Sequence, residues 1–248
     1  MPFTMGSSDA GTPYEAWFER ARVGRDPEEA AHYAIGGNFD AFGTIEAEML
    51  KLFGLAPQHY LIDVGCGSGR LAAKLGGYLT GRYLGTDIVE PLLDHAKTLV
   101  PSDARWRFEL VDRLMIPATD HEADMVCFFS VFTHLLHEQT FIYLEEAKRV
   151  LKPGGTIVFS FLEFRMESHW AVFDATVRES RAASGHPLNV FFDRDAIAAW
   201  ARMLGMKIVQ FRDGIFDFVP IPGPLVLDSG EVVQGVSKLG QSICVLTT

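Results

Sequence analysis

The amino-acid sequence reads as an α/β protein built on a mostly parallel sheet, and three observations carry that reading. Residues 60–71, Tyr-Leu-Ile-Asp-Val-Gly-Cys-Gly-Ser-Gly-Arg-Leu, pass from a short apolar run through an acid and three alternating glycines into helical spacing. That order is strand, tight turn, helix. Two more short apolar runs, 82–88 and 106–111, carry an acid at their far ends, Asp87 and Asp112. The segment after Asp124, Met-Val-Cys-Phe-Phe, is continuously apolar, as a parallel strand covered on both faces must be.

Taken in order, residues 1–12 are small and polar and are expected to be disordered. Helices are predicted over 14–18, over 27–33 behind an Asp26 cap, and over 40–53, where Phe42, Ile45, Met49 and Leu52 form one stripe. Between the last two lies a loop at 34–39 with two glycines. After the strand at 60–64, Leu71, Leu75 and Tyr78 mark a helix. Pro91 suits the first turn of the helix that follows strand 82–88, with Leu92, Leu93, Ala96 and Leu99 inward. A fourth strand at 123–130 opens into a helix over 138–151 bearing Phe141, Leu144, Ala147 and Leu151. Pro153 and Gly154 suit a type II turn into a strand at 156–161. Residues 163–190 read as an insertion, aromatic and helix-like at Trp170, Phe173 and Val177, closing on Gly185-His186-Pro187. Asp193 then caps a helix with Ile197, Trp200, Ala201 and Leu204 on one face and Gly205 as its stop. A strand at 206–211, a Gly- and Pro-rich loop at 214–224, a polar stretch and a last strand at 240–246 complete the chain.

Composition bounds the function. The apolar share of 48% and charged share of 22% are those of an ordinary globular protein. A net charge of −10 argues against a general nucleic-acid or anionic-membrane binder, which needs clustered Lys and Arg. The cysteines, Cys66, Cys127 and Cys244, lie far apart, without zinc-ligand spacing, and read as buried, reduced thiols. The first residues have no basic segment leading into an apolar one, and no apolar run approaches the roughly 20 residues that span a bilayer. A soluble, cytoplasmic protein is expected.

Two motifs go further. Asp-Val-Gly-Cys-Gly-Ser-Gly at 63–69 and Arg-Val-Leu-Lys-Pro-Gly-Gly at 149–155 resemble those of the class I S-adenosylmethionine (SAM) methyltransferases, a resemblance that covers about 60–247. The Gly-x-Gly-x-Gly spacing differs from the Gly-x-Gly-x-x-Gly of dinucleotide folds. The resemblance implies a Rossmann-like, seven-stranded, mostly parallel sheet with an antiparallel C-terminal edge hairpin and helices on both faces. It also implies an N-terminal helical lid over 1–55 and a SAM-binding domain over 56–248 with the cap insertion at 163–190. SAM is then the cofactor and S-adenosylhomocysteine (SAH) its product. Asp63, Gly65, Cys66, Gly67 and Gly69 would lie by the methionine portion, Ile88 on the adenine, and Phe129 and Ser130 beside the sulfonium. Asp87, 18 positions after Gly69, stands about where an open α/β sheet places a ribose-binding carboxylate. An ionised carboxylate can accept from both ribose hydroxyls; a turn or cap residue is the alternative. Relatives carry an Asp at position 112, taking the adenine amine, before a Leu-Pro-like pair; a solvated loop carboxylate is the alternative. Here the pair is Ile116-Pro117, and Arg113 beside the acid departs from the pattern.

For the acceptor's proton, His134 just past the fourth strand is the candidate base, the alternative being a histidine that packs or hydrogen-bonds at a helix start. Glu163 and His169 are second choices, and with Phe132 and Trp170 they form the candidate substrate set. Ser130-Val-Phe-Thr replaces the Asn/Asp-Pro-Pro-Tyr/Phe motif of enzymes that methylate exocyclic or amide nitrogens in nucleic acids and proteins. No acid stands at 128–134, which speaks against a magnesium-dependent mechanism, and no metal is expected. The expected reaction is in-line methyl transfer to a small, partly apolar acceptor, with oxygen first and nitrogen or carbon open; neither nucleic acid nor membrane is expected as partner. A non-catalytic SAM-binding protein and an NAD(P)-dependent oxidoreductase are the competing readings. The acceptor's identity and the oligomeric state are not written in these residues.

Overall fold

The computed structural model describes residues 13–182 and 188–248; the expectations for 1–12 and for Gly185-His186-Pro187 lie outside the described residues. Helices α1 (Pro13–Ala21), α2 (Pro27–Ala34) and α3 (Phe39–Leu52) come first. Strands and helices then alternate: β1 (Tyr60–Val64), α4 (Arg70–Leu75), β2 (Arg82–Asp87), α5 (Glu90–Thr98), β3 (Trp106–Leu110), β4 (Ala123–Phe128), α6 (His137–Val150) and β5 (Leu151–Phe161). The chain continues through α7 (Trp170–Ala182), α8 (Arg194–Met203), β6 (Lys207–Arg212), the short strands β7 (Val219–Pro220), β8 (Leu225–Val226), β9 (Val232–Val233) and β10 (Val236–Ser237), and β11 (Ser242–Thr247).

Seven strands form one sheet in the order β3-β2-β1-β4-β5-β11-β6. The pairs β1–β2, β2–β3, β1–β4 and β4–β5 are parallel. β11 runs antiparallel to both β5 and β6, so the expected edge hairpin places β11 inside the sheet and β6 at its rim. Strand order reverses between β1 and β4, and the crevice beyond their carboxyl ends is where such sheets bind ligands.

The period-two alternation of the strands divides the core. Ile62, Val64, Val126, Phe128, Ile157 and Phe159 face Leu144 of α6 and Ile197 of α8. Leu61, Met125, Cys127 and Val158 face Ile45 and Met49 of α3 and Leu71 of α4. A third cluster joins α1 and α2 (Phe18, Ala31, Ala34) to Val89 and to Leu92 of α5, which Val89 precedes. The caps follow the sequence at Asp26, which accepts from the Glu29 amide at 2.9 Å, and at Gly205, whose φ of +65° ends α8. Asp193 precedes α8 without the side-chain bond of a cap.

Two expectations need correction. Leu52 is 48% exposed, and Leu50 and Leu55 fill the core at that end of α3. The stretch after β6, expected as loop, folds into two small sheets, β7 with β10 and β8 with β9. Strands of two residues are too short for alternation to register.

Packing between α3 and α4 is tight enough to reverse an ordinary helix rule. A Cβ on Gly43 would overlap the Arg70 carbonyl oxygen and stand 2.9 Å from its carbon. Gly→Ala within a helix normally stabilises by about 1 kcal/mol; here overpacking by about 1–3 kcal/mol outweighs it. Gly43→Ala should therefore lower the urea midpoint, and a raised midpoint would show that the two helices can part without cost.

Candidate active site

The glycine turn leaves β1 between the ends of β2 and β4. Gly65, Gly67 and Gly69 have φ of +72°, +54° and +87°, a region other residues enter only with strain. The amides of Gly65 and Cys66 both donate to the Thr86 carbonyl, at 2.7 and 2.9 Å. Asp87 accepts from the Gly67 amide at 2.9 Å through one oxygen and from the Val89 amide at 3.0 Å through the other. Each carboxylate oxygen keeps a second lone pair, so the group can still take two hydroxyls.

Three buried carboxylates surround this turn, Asp63, Asp87 and Glu46, against one guanidinium, that of Arg70. Arg70 meets Glu46 through two bonds, 2.5 and 3.1 Å, and donates to the Ile35 carbonyl at 3.3 Å. Among the described residues Asp63 accepts only from the Tyr83 hydroxyl at 2.7 Å and the Cys127 thiol at 3.5 Å. Burial pushes its carboxyl up to about 7, and burial raises Glu46 and Asp87 as well. The unmet negative charge and the glycine cradle fit a ligand bearing both an ammonium and a sulfonium, which is what SAM presents. The Cys66 thiol, pushed up by burial, is a packed neutral group.

A cavity of about 250 Å³ lies beside Ile88, lined also by Phe18, Val89, Pro91 and Leu110. Asp112 is exposed, one residue beyond Val111, whose amide donates to the Asp87 carbonyl at 3.0 Å. A larger open groove of about 770 Å³, lined by Tyr60, Arg107, Ile116 and Arg149 among others, borders the start of β1. It is at the opposite end of that strand from the glycine turn and holds none of the three buried carboxylates.

Past β4, Phe129 is buried and Ser130 takes a φ of +58°. The Ser130 amide donates to Ser160 Oγ at 2.7 Å, and Gln241 Nε2 donates to Ser130 Oγ at 3.1 Å. His134 Nδ1 lies 2.7 Å from the Leu188 carbonyl. A carbonyl only accepts, so Nδ1 carries the proton and Nε2 presents a lone pair. Burial holds the imidazole below its usual pKa. The Tyr14 ring of α1 stands edge-on to it, centroids 5.3 Å apart, and burial together with the Asp87 charge pushes the Tyr14 phenol up to about 12.

The remaining candidates go to the framework. Phe132 is fully buried against Phe128 and Phe159, ring centroids 4.6 and 5.0 Å away. Glu163 accepts from Arg194 at 2.7 and 3.0 Å and from Ser242 Oγ at 2.5 Å, so both its oxygens are engaged. His169 donates from Nε2 to the Gly240 carbonyl at 3.1 Å and accepts at Nδ1 from the Glu163 amide at 3.0 Å. Glu163 and His169 are thus tied to Arg194, Ser242 and Gly240, and Phe132 packs within the core. Trp170 is 49% exposed among Phe164 and Phe173. Sequence reasoning missed Glu46, Arg70, Tyr14 and Gln241. Glu46 carried a signal, an acid flanked by Ile45 and Ala47 on the buried side of a helix, and Arg70 carried another by following the last glycine directly.

Asp63 gives a test independent of any ligand. Its folded pKa of about 7 exceeds the roughly 3.9 of an unfolded Asp, so between these values the native state holds the extra proton and stability falls as pH rises. Relative to Asp63→Asn, the cofactor-free protein should lose thermal stability steadily from about pH 4 to pH 7. A difference independent of pH would contradict the buried, unneutralised carboxylate.

Comparison with known proteins agrees with this geometry. Residues 62–159 match the family described as Methyltransferase domain. A ubiquinone biosynthesis O-methyltransferase of Hydrogenovibrio crunogenus is 27% identical over 196 residues, 75% of this chain and 76% of that one. A malonyl-[acyl-carrier protein] O-methyltransferase of Hahella chejuensis is 25% identical over 217 residues, 80% of this chain and 73% of the relative. Among solved structures, magnesium protoporphyrin IX methyltransferase of Synechocystis with bound SAH shares the fold, with TM-score 0.59, 14% identity, and 94% and 92% of the two chains covered. A SAM-dependent methyltransferase of Aquifex aeolicus gives TM-score 0.56 at 16% identity, covering 90% and 98%. With its glycine turn, its excess of buried carboxylates and the family match over residues 62–159, the chain carries a SAM-dependent methyltransferase domain.

Proposed function

We propose that the chain methylates an oxygen of a small, partly apolar acceptor, with His134 as the base that takes the acceptor's proton. The observation that carries the proposal is the Nδ1 bond to the Leu188 carbonyl, which turns an unprotonated Nε2 toward whatever approaches that ring. A depressed pKa keeps the imidazole unprotonated, with Nε2 available to accept a proton, at neutral pH. The O-methyltransferase names of two relatives support oxygen over nitrogen or carbon.

In this reading Asp63 and the turn at 65–69 hold the methionine portion, Asp87 the ribose hydroxyls, Ile88 one face of the adenine, and Asp112 its amine. Bound SAM supplies a methyl group activated by its sulfonium. The protein orients and encloses: alignment of the acceptor with the reacting atoms is worth up to about 7–11 kcal/mol. Tyr14 and Val131 close the site near His134 and Gly65 respectively. Among the described residues no helix is long and apolar enough to cross a membrane.

Two variants test the assignment against a panel of phenols, enols and carboxylic acids, followed by SAH release. His134→Ala should lower kcat by about 10²–10⁴-fold with SAH affinity unchanged. In the unsubstituted protein the acid limb of kcat should fall below the pH of about 6.5 expected of a free imidazole. Full activity in His134→Ala would make the histidine structural. Asp87→Ala should weaken SAH binding by about 1.5–3 kcal/mol, and unchanged affinity would remove Asp87 from the cofactor site.

A further inference from the structure

We infer that Asp228, at the tip of the β8–β9 hairpin, is a positioning residue that latches the N-terminal helices shut over the glycine turn, so that cofactor exchange requires this contact to break. The inference rests on SAM being held at that turn.

Helices α1 and α2 form the cover. Phe18, Ala31 and Ala34 pack on Val89 and Leu92, directly after Asp87. The Trp17 indole donates to the Ala34 carbonyl at 3.2 Å, which ties the two helices into one body. Just beyond α2, Ile35 lies across the turn: a Cβ on Gly67 would stand 2.7 Å from its Cγ2. A ligand the size of SAM reaches this cradle only if the cover moves.

The join between α2 and α3 is built to bend. Gly36, Gly37 and Asn38 are three consecutive residues at positive φ, +92°, +69° and +50°. Beyond them α3 is fixed, because Glu46 is paired with Arg70 and Gly43 abuts the Arg70 carbonyl. The hinge therefore separates a cover, 13–34, from an anchored helix.

Asp228 grips that hinge. Its Oδ2 accepts from the Asn38 amide at 2.5 Å, and its own amide donates to Asn38 Oδ1 at 2.8 Å. The fit is close enough that a Cβ on Gly37 would come within 2.6 Å of the same Oδ2. The two residues are 190 positions apart, and Asp228 is exposed, so water can replace its bonds without unfolding the sheet. The β8–β9 hairpin after β6 thereby acquires a purpose: it carries Asp228 to the junction between α2 and α3. Arg70 supplies a second, weaker tether at the Ile35 carbonyl, 3.3 Å away.

The test uses the full chain with three variants. Asp228→Ala removes the acceptor, Asn38→Gly removes the partner oxygen while favouring the same left-handed backbone, and Asp228→Asn keeps an acceptor. SAH dissociation is followed by stopped flow, and amide hydrogen exchange over 13–34 is followed without cofactor. Asp228→Ala and Asn38→Gly should each speed SAH release by roughly tenfold and accelerate exchange in α1 and α2. The double variant should be no faster than either, Asp228→Asn should behave as the parent, and thermal midpoints should stay within about a degree, since an exposed substitution costs little. Parental release rates in both disruptive variants, or faster release with unaltered exchange over 13–34, overturns the latch. SAH failing to bind the parent protein would count against the cofactor site instead, and the cofactor-free exchange would still decide the latch.

Discussion

The Asp87 carboxylate is the joint on which the site depends. It is the last residue of β2, yet its two oxygens accept from the glycine turn after β1 and from the start of α5. A buried carboxylate is tolerated when backbone N–H groups satisfy it. In return, those bonds hold two crossover connections in register at the point where strand order reverses. The turn can be this tight only because residues 65, 67 and 69 lack a Cβ. N-terminal helices, glycine turn and sheet then meet at one place: Val89 and Leu92, just past the carboxylate, are also the floor on which α1 and α2 rest.

Charge explains why this crevice suits a sulfonium cofactor. A buried pair such as Glu46–Arg70 contributes little net stability, because desolvating both ions offsets their attraction. Its effect is geometric: it clamps α3 to the first residue of α4 and sets the Ile35 carbonyl. With that guanidinium engaged, Asp63 has no cation of its own. SAM carries positive charge at both its ammonium and its sulfonium, and transfer of the methyl group removes the second. At the proposed site the same excess of carboxylates would favour the substrate form of the cofactor over the product form.

Legibility in the sequence followed the range of the interactions. The glycine turn, Asp87 and the caps at Asp26 and Gly205 are local devices whose residues sit within a few positions of one another. What was missed depends on partners far along the chain. Glu46 looks out of place until Arg70 is beside it, and Asp228 is an ordinary turn residue until Asn38 faces it. Glu163 and His169 look like acceptor groups by their position after β5. Arg194, Ser242 and the Gly240 carbonyl, all contributed by later segments, draw them into the framework instead. His134 was identifiable by place, whereas its tautomer required Leu188, 54 residues away.

The central claim is that this carboxylate-rich turn is a SAM site rather than a dinucleotide site. Calorimetric titration of the purified chain with SAM, SAH and NADH side by side tests it most directly. The account predicts saturable binding of SAM and SAH in the micromolar range and none of NADH. Binding of NADH alone would contradict it and return the Gly-x-Gly-x-Gly turn to the dinucleotide-binding folds.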